Sequence, residues 1–198
     1  MAFEYAIVLT GSIATGKSSV AKLLKEDGFA VIDADKIAHK ILNQQHKAIA
    51  DIFGNFLVKE QVVDRKALGA MIFSNPVKRR ELEALLHPLI YNEIIAQAKK
   101  QERLKKPYFV DIPLFFEGGK RYPMERILVI YTTPLKQLER LMQRDDSAEE
   151  EAGKRIASQI SIEQKRKSAT YLIDNRRDKD ALKDEYIKIK EQILGDFR

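Results

Sequence analysis

The N-terminal segment combines an apolar run, a glycine-containing turn and a helical pattern in immediate succession. Residues 6–9 are continuously apolar, as expected of a strand buried on both faces. They lead into Gly11-x-x-x-x-Gly16-Lys17-Ser18. Four apolar residues then recur with helical spacing: Val20, Ala21, Leu23 and Leu24. The sequence therefore predicts a strand, a loop and a helix in that order, which is the context that a phosphate-binding loop requires.

The residue types of this loop suit a polyphosphate chain, which only backbone N–H groups can surround closely. Gly11 and Gly16 are expected to supply the torsion angles that turn successive amides inward. Lys17 would extend its charge toward the β- and γ-phosphates, Ser18 would offer its hydroxyl to Mg²⁺, and the helix N-terminus adds partial positive charge. The alternative is a strand-to-helix turn that binds nothing. The candidate nucleotide-binding residues of the loop are Gly11, Ser12, Ile13, Ala14, Thr15, Gly16, Lys17, Ser18 and Ser19.

Composition limits the class of protein. A chain of 198 residues with 44% hydrophobic content predicts one α/β core with room for insertions. There is no cysteine, no signal-peptide pattern and no apolar run of roughly 18–20 residues, so a soluble cytoplasmic protein is expected. The net charge of +6 suits nucleic acid, but it equally suits a nucleoside triphosphate and a second phosphorylated substrate. The aromatic residues lack a base-stacking pattern, so no nucleic-acid partner is expected.

Two acidic residues follow predicted strands. Residues 29–32 form a second strand that ends at Asp33, and the strand beginning at Tyr108 leaves its course at Pro113, just after Asp111. Because ligands of parallel sheets bind at the carboxyl ends of the strands, Asp33 is expected on the same edge as the phosphate loop. Asp111 could hold Mg²⁺ through water. The alternative for Asp33 is helix capping, a role that we assign instead to Asp35.

Residues 36–106 are predicted to be mainly helical, without a second buried strand. Asp64 is the expected N-cap of one helix, and Asn75-Pro76 begins another. His87-Pro88 predicts a kink or break in this second helix, and His87 by itself is more typical of a structural residue than of a catalytic one. An insertion of this size could cover a substrate.

The C-terminal third contains two further strands. Residues 126–131 form the fourth strand, and the helix that starts at Thr133-Pro134 carries Arg140 and Arg144 on one face, where both guanidinium groups could meet phosphate oxygens. The alternative is a solvated pair partnered by the acidic residues 149–151. The polar residues 145–153 have the composition of a mobile lid. A fifth strand over residues 170–173 ends at Asp174-Asn175, and residues 179–194 form a closing helix.

Strands that alternate with helices predict a doubly wound, five-stranded parallel sheet with helices on both faces. The chain resembles the dephospho-CoA kinase family, whose fold is that of the P-loop kinases, along nearly its whole length. The matching motifs are Leu9-Thr10-Gly11 through Lys17-Ser18, Val31-Ile32-Asp33-Ala34-Asp35, Phe53-Gly54, Asp64-Arg65 with Leu68, Leu86-His87-Pro88, Asp111-Ile112-Pro113-Leu114 with Phe116-Glu117, Gln137 with Arg140-Leu141 and Arg144, Arg155 with Gln159, and Asn175.

The resemblance implies a single kinase unit with three parts: a core of residues 1–34, 107–143 and 168–198, a substrate-binding insertion of residues 35–106, and a lid of residues 144–167. Ser12, Ala14 and Thr15 depart from the usual loop of the family. In particular, Ala14 stands in place of a family glycine, so a stiffer loop is expected.

The reaction that the resemblance implies is transfer of the γ-phosphoryl group of ATP to the 3′-hydroxyl of dephospho-CoA, with Mg²⁺. Asp33 would orient the hydroxyl and accept its proton, and Lys17 and Arg140 would neutralise charge on the phosphates. Arg144 and Asn175 complete the nucleotide site. The acceptor-side residues implied are Thr10, Asp33, Arg65, His87 and Asp111.

Three alternatives stay open from the sequence. A nucleoside monophosphate kinase shares the loop, the sheet and the arginines. A GTPase-like switch shares the loop alone, and a nucleic-acid-binding module would use the positive charge.

Overall fold

We describe a computed structural model of the chain, which covers residues 3–118 and 122–198. It divides into two compact units, one formed by Met1–Ile32 with Ala98–Arg198 and the other by Asp33–Gln97. In chain order the elements are β1 (Phe3–Gly11), α1 (Lys17–Glu26), β2 (Val31–Asp33), α2 (Ala34–Gln44), α3 (His46–Phe53), a 3₁₀ turn (Asn55–Leu57), β3 (Val58–Lys59), β4 (Val62–Val63), α4 (Arg65–Phe73), α5 (Pro76–Glu102), β5 (Tyr108–Asp111), β6 (Met124–Tyr131), α6 (Pro134–Asp145), α7 (Glu149–Ala157), α8 (Ile162–Lys167), β7 (Tyr171–Asp174) and α9 (Lys179–Asp196).

The main sheet has five strands in the order β2-β5-β1-β6-β7. β1 lies at its centre and pairs in parallel with β5, where Leu9 is opposite Asp111, and with β6, where Gly11 is opposite Ile130. β6 pairs in parallel with β7. Parallel neighbours need crossover connections, and helices lie between β1 and β2, between β2 and β5, and between β6 and β7 along the chain. The predicted five-stranded parallel sheet is therefore confirmed.

Successive residues of a strand point to opposite faces of the sheet, and β6 shows where each face packs. Leu128 and Ile130 belong to a cluster that includes α1 and α9, in which Leu24 and Ile193 are buried. Val129 and Tyr131 pack instead with Ile162 of α8 and with partly buried residues around it. Both faces of the strand are thus covered by helices, which explains why the strands are continuously apolar instead of alternating.

The unit Asp33–Gln97 contains a feature that the sequence did not predict. β3 and β4 form an antiparallel hairpin in which Val58 is opposite Val63. Its two turn residues, Glu60 and Gln61, have φ of 52° and 65°. Such turns usually carry Asn-Gly or a similar glycine signal, which is absent here. The segment is mainly helical, as predicted, but it also contains this short hairpin. Asp64 caps α4 as predicted by accepting from the amides of Lys66 and Ala67.

The sequence predicted a kink or a break at His87-Pro88, and the break is wrong. α5 runs from Pro76 to Glu102 with Pro88 inside it. An internal proline costs a helix about 3 kcal/mol, but buried side chains lie on both sides of this one. Leu82 and Leu86 precede it, and Ile94 and Ala98 follow it. Burial of several apolar side chains, each worth about 1.5–3 kcal/mol when complete, outweighs the local penalty.

No helix within residues 3–118 and 122–198 combines the length and the apolar character that crossing a bilayer demands.

The C-terminal helix is tied to the sheet by a tyrosine. The buried Tyr171 of β7 donates its hydroxyl to Asp196 Oδ2 of α9 at 2.7 Å. Burial, and then this bond, raise the pKa of Tyr171 to about 12. The folded protein therefore favours the protonated phenol. The contribution to stability is complete below the ordinary tyrosine pKa of about 10 and is lost as the pH rises through about 12.

We expect the Tyr171→Phe variant to be less stable than the wild type at pH 8, by about 1 kcal/mol, because the bond to Asp196 is lost. This difference should shrink steadily as the pH rises from about 10 toward 12, since only the wild type loses the Tyr171 contribution. Urea unfolding of both proteins across this pH range measures it. Parallel stability curves would contradict the assignment.

Candidate functional site

The loop between β1 and α1 depends on its two glycines for different reasons. Gly16 is the N-cap of α1 with φ of 91°, and a Cβ there would lie 2.1 Å from Asn175 Nδ2. Gly11 ends β1 without a positive φ. A Cβ at Gly11 would lie 2.7 Å from Thr15 Oγ1 and 3.1 Å from the carbonyl oxygen of Ile130. The predicted torsion-angle role is thus confirmed for Gly16, whose φ is positive. It is wrong for Gly11, which is extended and must be glycine because the neighbouring atoms leave no room for a Cβ.

Three amide side chains from distant segments hold the loop. Gln137 Nε2 of α6 donates to the carbonyl of Ile13 at 2.7 Å, and Gln159 Oε1 accepts from the amide of Ile13 at 2.9 Å. Asn175 Nδ2, just after β7, donates to the carbonyl of Thr15 at 2.8 Å. Gln137 and Asn175 are buried. The loop is therefore fixed from outside, and the contact observed for Asn175 is with the loop backbone.

The Ile13 amide, one of the donors expected to face a phosphate, is occupied by Gln159. Within the loop, the amide and hydroxyl of Thr15 both donate to the carbonyl of Ser12, at 3.3 and 2.9 Å. The buried hydroxyl of Thr10, a predicted acceptor-side residue, donates to the carbonyl of Pro113 at 3.2 Å. These bonds fix the backbone that a phosphate would meet.

The first turn of α1 carries the predicted cationic and hydroxyl groups. Lys17 is its first residue, and Ser18 and Ser19 follow with exposed side chains. No acidic residue lies in this turn, so its partial positive charge is not neutralised there. An anion would therefore be favoured at this helix end.

Lys17 and Asp111 form an ion pair at the centre of the sheet edge. Lys17 Nζ lies 2.5 Å from Asp111 Oδ1, and the two side chains are only 19% and 10% exposed. Asp111 is the last residue of β5, which confirms its predicted position at the strand end. The carboxylate restricts the flexible lysine to one place, so that Lys17 is held beside the loop. A bound phosphate would add a second anionic partner for the same ammonium group.

Arg144 of α6 has a different acid partner from residues 149–151, which the sequence analysis gave as the alternative to phosphate. Arg144 Nε donates to Asp145 Oδ1 at 2.7 Å, and Arg155 donates to Asp145 Oδ2. Hydrogen bonding by Arg144, and then by Arg155, lowers the pKa of Asp145 to about 2. Arg140 donates instead to the carbonyl of Arg177 at 3.4 Å. Arg140 and Arg144 thus share no partner, and Asp145 takes the position expected for residues 149–151.

In the unit Asp33–Gln97, Asp33 both ends β2 and caps α2. Its Oδ1 accepts from the amide of Lys36 at 3.0 Å. The prediction that Asp35 is the cap is wrong, because the helix follows the strand without a linker and Asp35 already lies in its first turn. Arg65 begins α4 and lies 2.8 Å from His39 Nε2. His87 is exposed within α5.

One contact to the loop was missed by the sequence analysis. Lys165 of α8 is fully buried, and its Nζ donates to the carbonyl of Gly11 at 3.0 Å while pairing with Glu117 Oε1 at 2.7 Å. The run Lys165-Arg166-Lys167 is typical of a solvated basic face. The one available signal is that Lys165 lies three residues after the buried Ile162, and therefore on the same face of the helix.

Ala14 is the one loop departure that carries backbone strain. Its φ is 61°, in the left-handed region. This conformation costs a residue with a Cβ about 1–2 kcal/mol, whereas glycine adopts it freely but loses about 0.5–1 kcal/mol of chain entropy on folding. We expect Ala14→Gly to raise the free energy of unfolding by about 0.5 kcal/mol, measured by urea unfolding.

Gly16→Ala serves as the control of opposite sign. It introduces a Cβ at positive φ and against Asn175 Nδ2, so it should lower the stability. A loss of stability in Ala14→Gly would show that Ala14 is not strained.

Comparison with known proteins gives a consistent result. A sequence model of the dephospho-CoA kinase family matches residues 5–180. The chain is 46% identical over 195 residues to the dephospho-CoA kinase of Wolinella succinogenes, covering 98% of this chain and 97% of that protein. It is 45% identical over 197 residues to the dephospho-CoA kinase of Sulfurimonas denitrificans, covering 100% and 98%.

Solved structures agree. Dephospho-CoA kinase from Campylobacter jejuni superimposes with a TM-score of 0.79 at 39% identity, over 96% of both chains. Shikimate kinase from Acinetobacter baumannii, at 18% identity and a TM-score of 0.51, shares the fold. The family predicted from the motifs is confirmed, and so are the P-loop kinase fold and the expectation of a kinase.

Proposed function

Because the chain belongs to the dephospho-CoA kinase family, we propose that it transfers the γ-phosphoryl group of ATP to the 3′-hydroxyl of dephospho-CoA, giving coenzyme A and ADP. The observation that carries the proposal is the family match over residues 5–180, which includes both the phosphate loop and the unit Asp33–Gln97. The assignment of dephospho-CoA as the substrate thus rests on a match over most of the chain and not only on the phosphate loop, which many nucleotide-binding proteins share.

The loop and the start of α1 would bind the phosphates of ATP. Phosphoryl transfer passes through a loose transition state, so positioning and neutralisation of charge supply most of the catalysis. The rigid loop backbone, the helix N-terminus and Lys17 suit this task. Asp111 would keep Lys17 in place before the nucleotide arrives, and the ammonium group would then be shared with a phosphate oxygen.

The residues near the loop fit a magnesium ion. Mg²⁺ prefers oxygen ligands and commonly binds to one or two protein groups, with phosphates and waters as the others. The Ser18 hydroxyl and the Asp111 carboxylate would supply such oxygens. Among residues 3–118 and 122–198, no group of three or more acidic or histidine side chains could hold a metal by itself, which suits an ion held mainly by the nucleotide. When bound, the ion would neutralise charge on the β- and γ-phosphates.

Asp33 would orient the acceptor hydroxyl and take its proton. A carboxylate is a weak base, which suffices when deprotonation of the hydroxyl comes late in the transfer. Its Oδ1 accepts from the Lys36 amide, so the side chain is already oriented by the start of α2. This ordering supports a positioning role in which little freedom is lost on binding the substrate.

The remaining predicted residues divide between the two substrates. Arg140 and Arg144 of α6 would contact the phosphates of ATP, and the segment 144–167 would act as a lid. Thr10, Arg65, His87 and Asp111 would line the acceptor side together with Asp33. The insertion of residues 35–106 would provide most of the surface for dephospho-CoA.

The activity itself is tested by measuring ADP formation with and without dephospho-CoA. We expect ADP to appear at a rate typical of kinases, on the order of 1–100 per second, only when dephospho-CoA is present, with coenzyme A formed in equal amount. Nucleoside monophosphates serve as competing acceptors. Equal ADP formation without dephospho-CoA, or preferential phosphorylation of a nucleoside monophosphate, would contradict the proposal.

Asp33→Asn tests the acceptor base with little effect on the fold, because asparagine caps a helix about as well as aspartate. We expect turnover to fall by orders of magnitude while the affinity for ATP stays within a few-fold. Asp35→Asn, two residues along in the first turn of α2, is the matched control and should keep its turnover. Retained turnover in Asp33→Asn would remove Asp33 from the mechanism.

A further inference from the structure

A completely buried lysine lies against the phosphate loop. The Lys165 side chain has 0% exposure, while its neighbours Arg166 and Lys167 are exposed. Removing an ammonium group from water is strongly unfavourable unless an opposite charge and hydrogen bonds replace the water. Burying Lys165 therefore costs free energy, and the groups that it contacts indicate which role its burial serves.

The partners of Lys165 come from two other segments. Its Nζ lies 2.7 Å from Glu117 Oε1 and donates to the carbonyl of Gly11 at 3.0 Å. Glu117 Oε1 also accepts from the amide of Ile160 at 3.0 Å. Glu117 Oε2 is buried, and the described part of the chain offers it no hydrogen-bond partner. A buried ion pair with one unsatisfied oxygen contributes little to stability compared with apolar side chains of similar volume.

The hydrogen bond from Lys165 to the Gly11 carbonyl fixes the orientation of the first peptide group of the loop. A peptide group is planar and trans, so its carbonyl and its N–H point in opposite directions. Holding the Gly11 carbonyl on Lys165 therefore turns the Ser12 amide away from Lys165. Glycine is the residue with the greatest freedom to rotate, so this first peptide of the loop needs an external contact to keep one orientation.

The same pair connects the loop to the segment between α7 and α8. Ile160, whose amide donates to Glu117, accepts from the Ser12 hydroxyl at 3.4 Å through its own carbonyl. Gln159, one residue earlier, accepts from the Ile13 amide. Glu117, Lys165 and residues 159–160 thus form one network around the first three loop residues.

We propose that Lys165 and Glu117 are positioning residues, which fix the Gly11–Ser12 peptide in the orientation that binds the phosphates of ATP. The inference rests on the proposed function in that ATP is the phosphoryl donor. Neither residue needs to touch the nucleotide, because both act through the loop backbone. A small displacement of a positioned group can lower a rate by about 10²-fold.

The test separates positioning from stability with two variants. Lys165→Met removes the charge and the donor but keeps an unbranched side chain, and it leaves the partly buried Glu117 carboxylate without its partner. We expect its Tm to fall by on the order of 10 °C. The double variant Glu117→Gln with Lys165→Met has no buried charge, so most of the lost Tm should return.

Measurements of ATP binding and of steady-state kinetics show whether the pair positions the loop. In both variants kcat/KM for ATP should fall by about 10²-fold, with the affinity for ATP and Mg²⁺ reduced when dephospho-CoA is absent. KM for dephospho-CoA should change by less than about threefold. If the single variant does not fold, the double variant gives the same test. Lys167→Met, an exposed lysine of the same helix, is the matched control and should behave as the wild type.

Recovery of ATP affinity together with Tm in the double variant would overturn the proposal, because the pair would then serve stability alone. Unchanged ATP affinity and kinetics in both variants would overturn it as well. Failure of the proposed function has a different signature, in which the wild type binds ATP but makes no coenzyme A. ATP binding without dephospho-CoA still tests the role of Lys165 in that case.

Discussion

The structure depends on keeping a short, partly buried backbone loop in one conformation at the end of a buried strand. A phosphate chain is bound by amide groups whose directions must agree, and a loop of small residues does not fix those directions by itself. The contacts that do so come from side chains far away in sequence: Gln137, Gln159, Lys165 and Asn175. The central position of β1 in the sheet lets segments on both sides reach the loop.

The positively charged side chains of the site differ in how deeply they are buried. Lys17 is partly buried and held by Asp111, whereas Lys165 is fully buried and held by Glu117. An accessible ammonium can exchange part of its pairing for a phosphate, while an enclosed one acts only through the backbone that it contacts. Arg144 of α6 and Arg155 of α7 form a third, more exposed group around Asp145, and their hydrogen bonds lower the pKa of that carboxyl.

Predictions from local sequence were wrong where tertiary packing contributes more free energy than the local backbone preference. Pro88 does not end α5, because buried side chains continue on both sides of it. Glu60 and Gln61 form a hairpin turn without glycine, and Ala14 adopts a left-handed conformation within the loop. Each is a local cost of one to a few kcal/mol, which propensity alone would avoid and which the surrounding contacts offset. Asp33 differs from these cases. The cap of α2 is a local contact, and the sequence analysis assigned it to Asp35 instead of Asp33.

The sequence alone determined the parallel sheet, the position of the loop, the strand-end location of Asp111 and the family, because these depend on short-range patterns: apolar runs, glycine spacing and motifs in a fixed order. Only the tertiary structure shows why position 11 must be glycine and that Lys165 is buried while Arg166 beside it is exposed. These features depend on which distant segments meet, and chain contacts across more than one hundred residues leave no periodic trace in the sequence. Lys165 and Gly11 are 154 residues apart, and their bond exists only because α8 packs on β6 beside the end of β1.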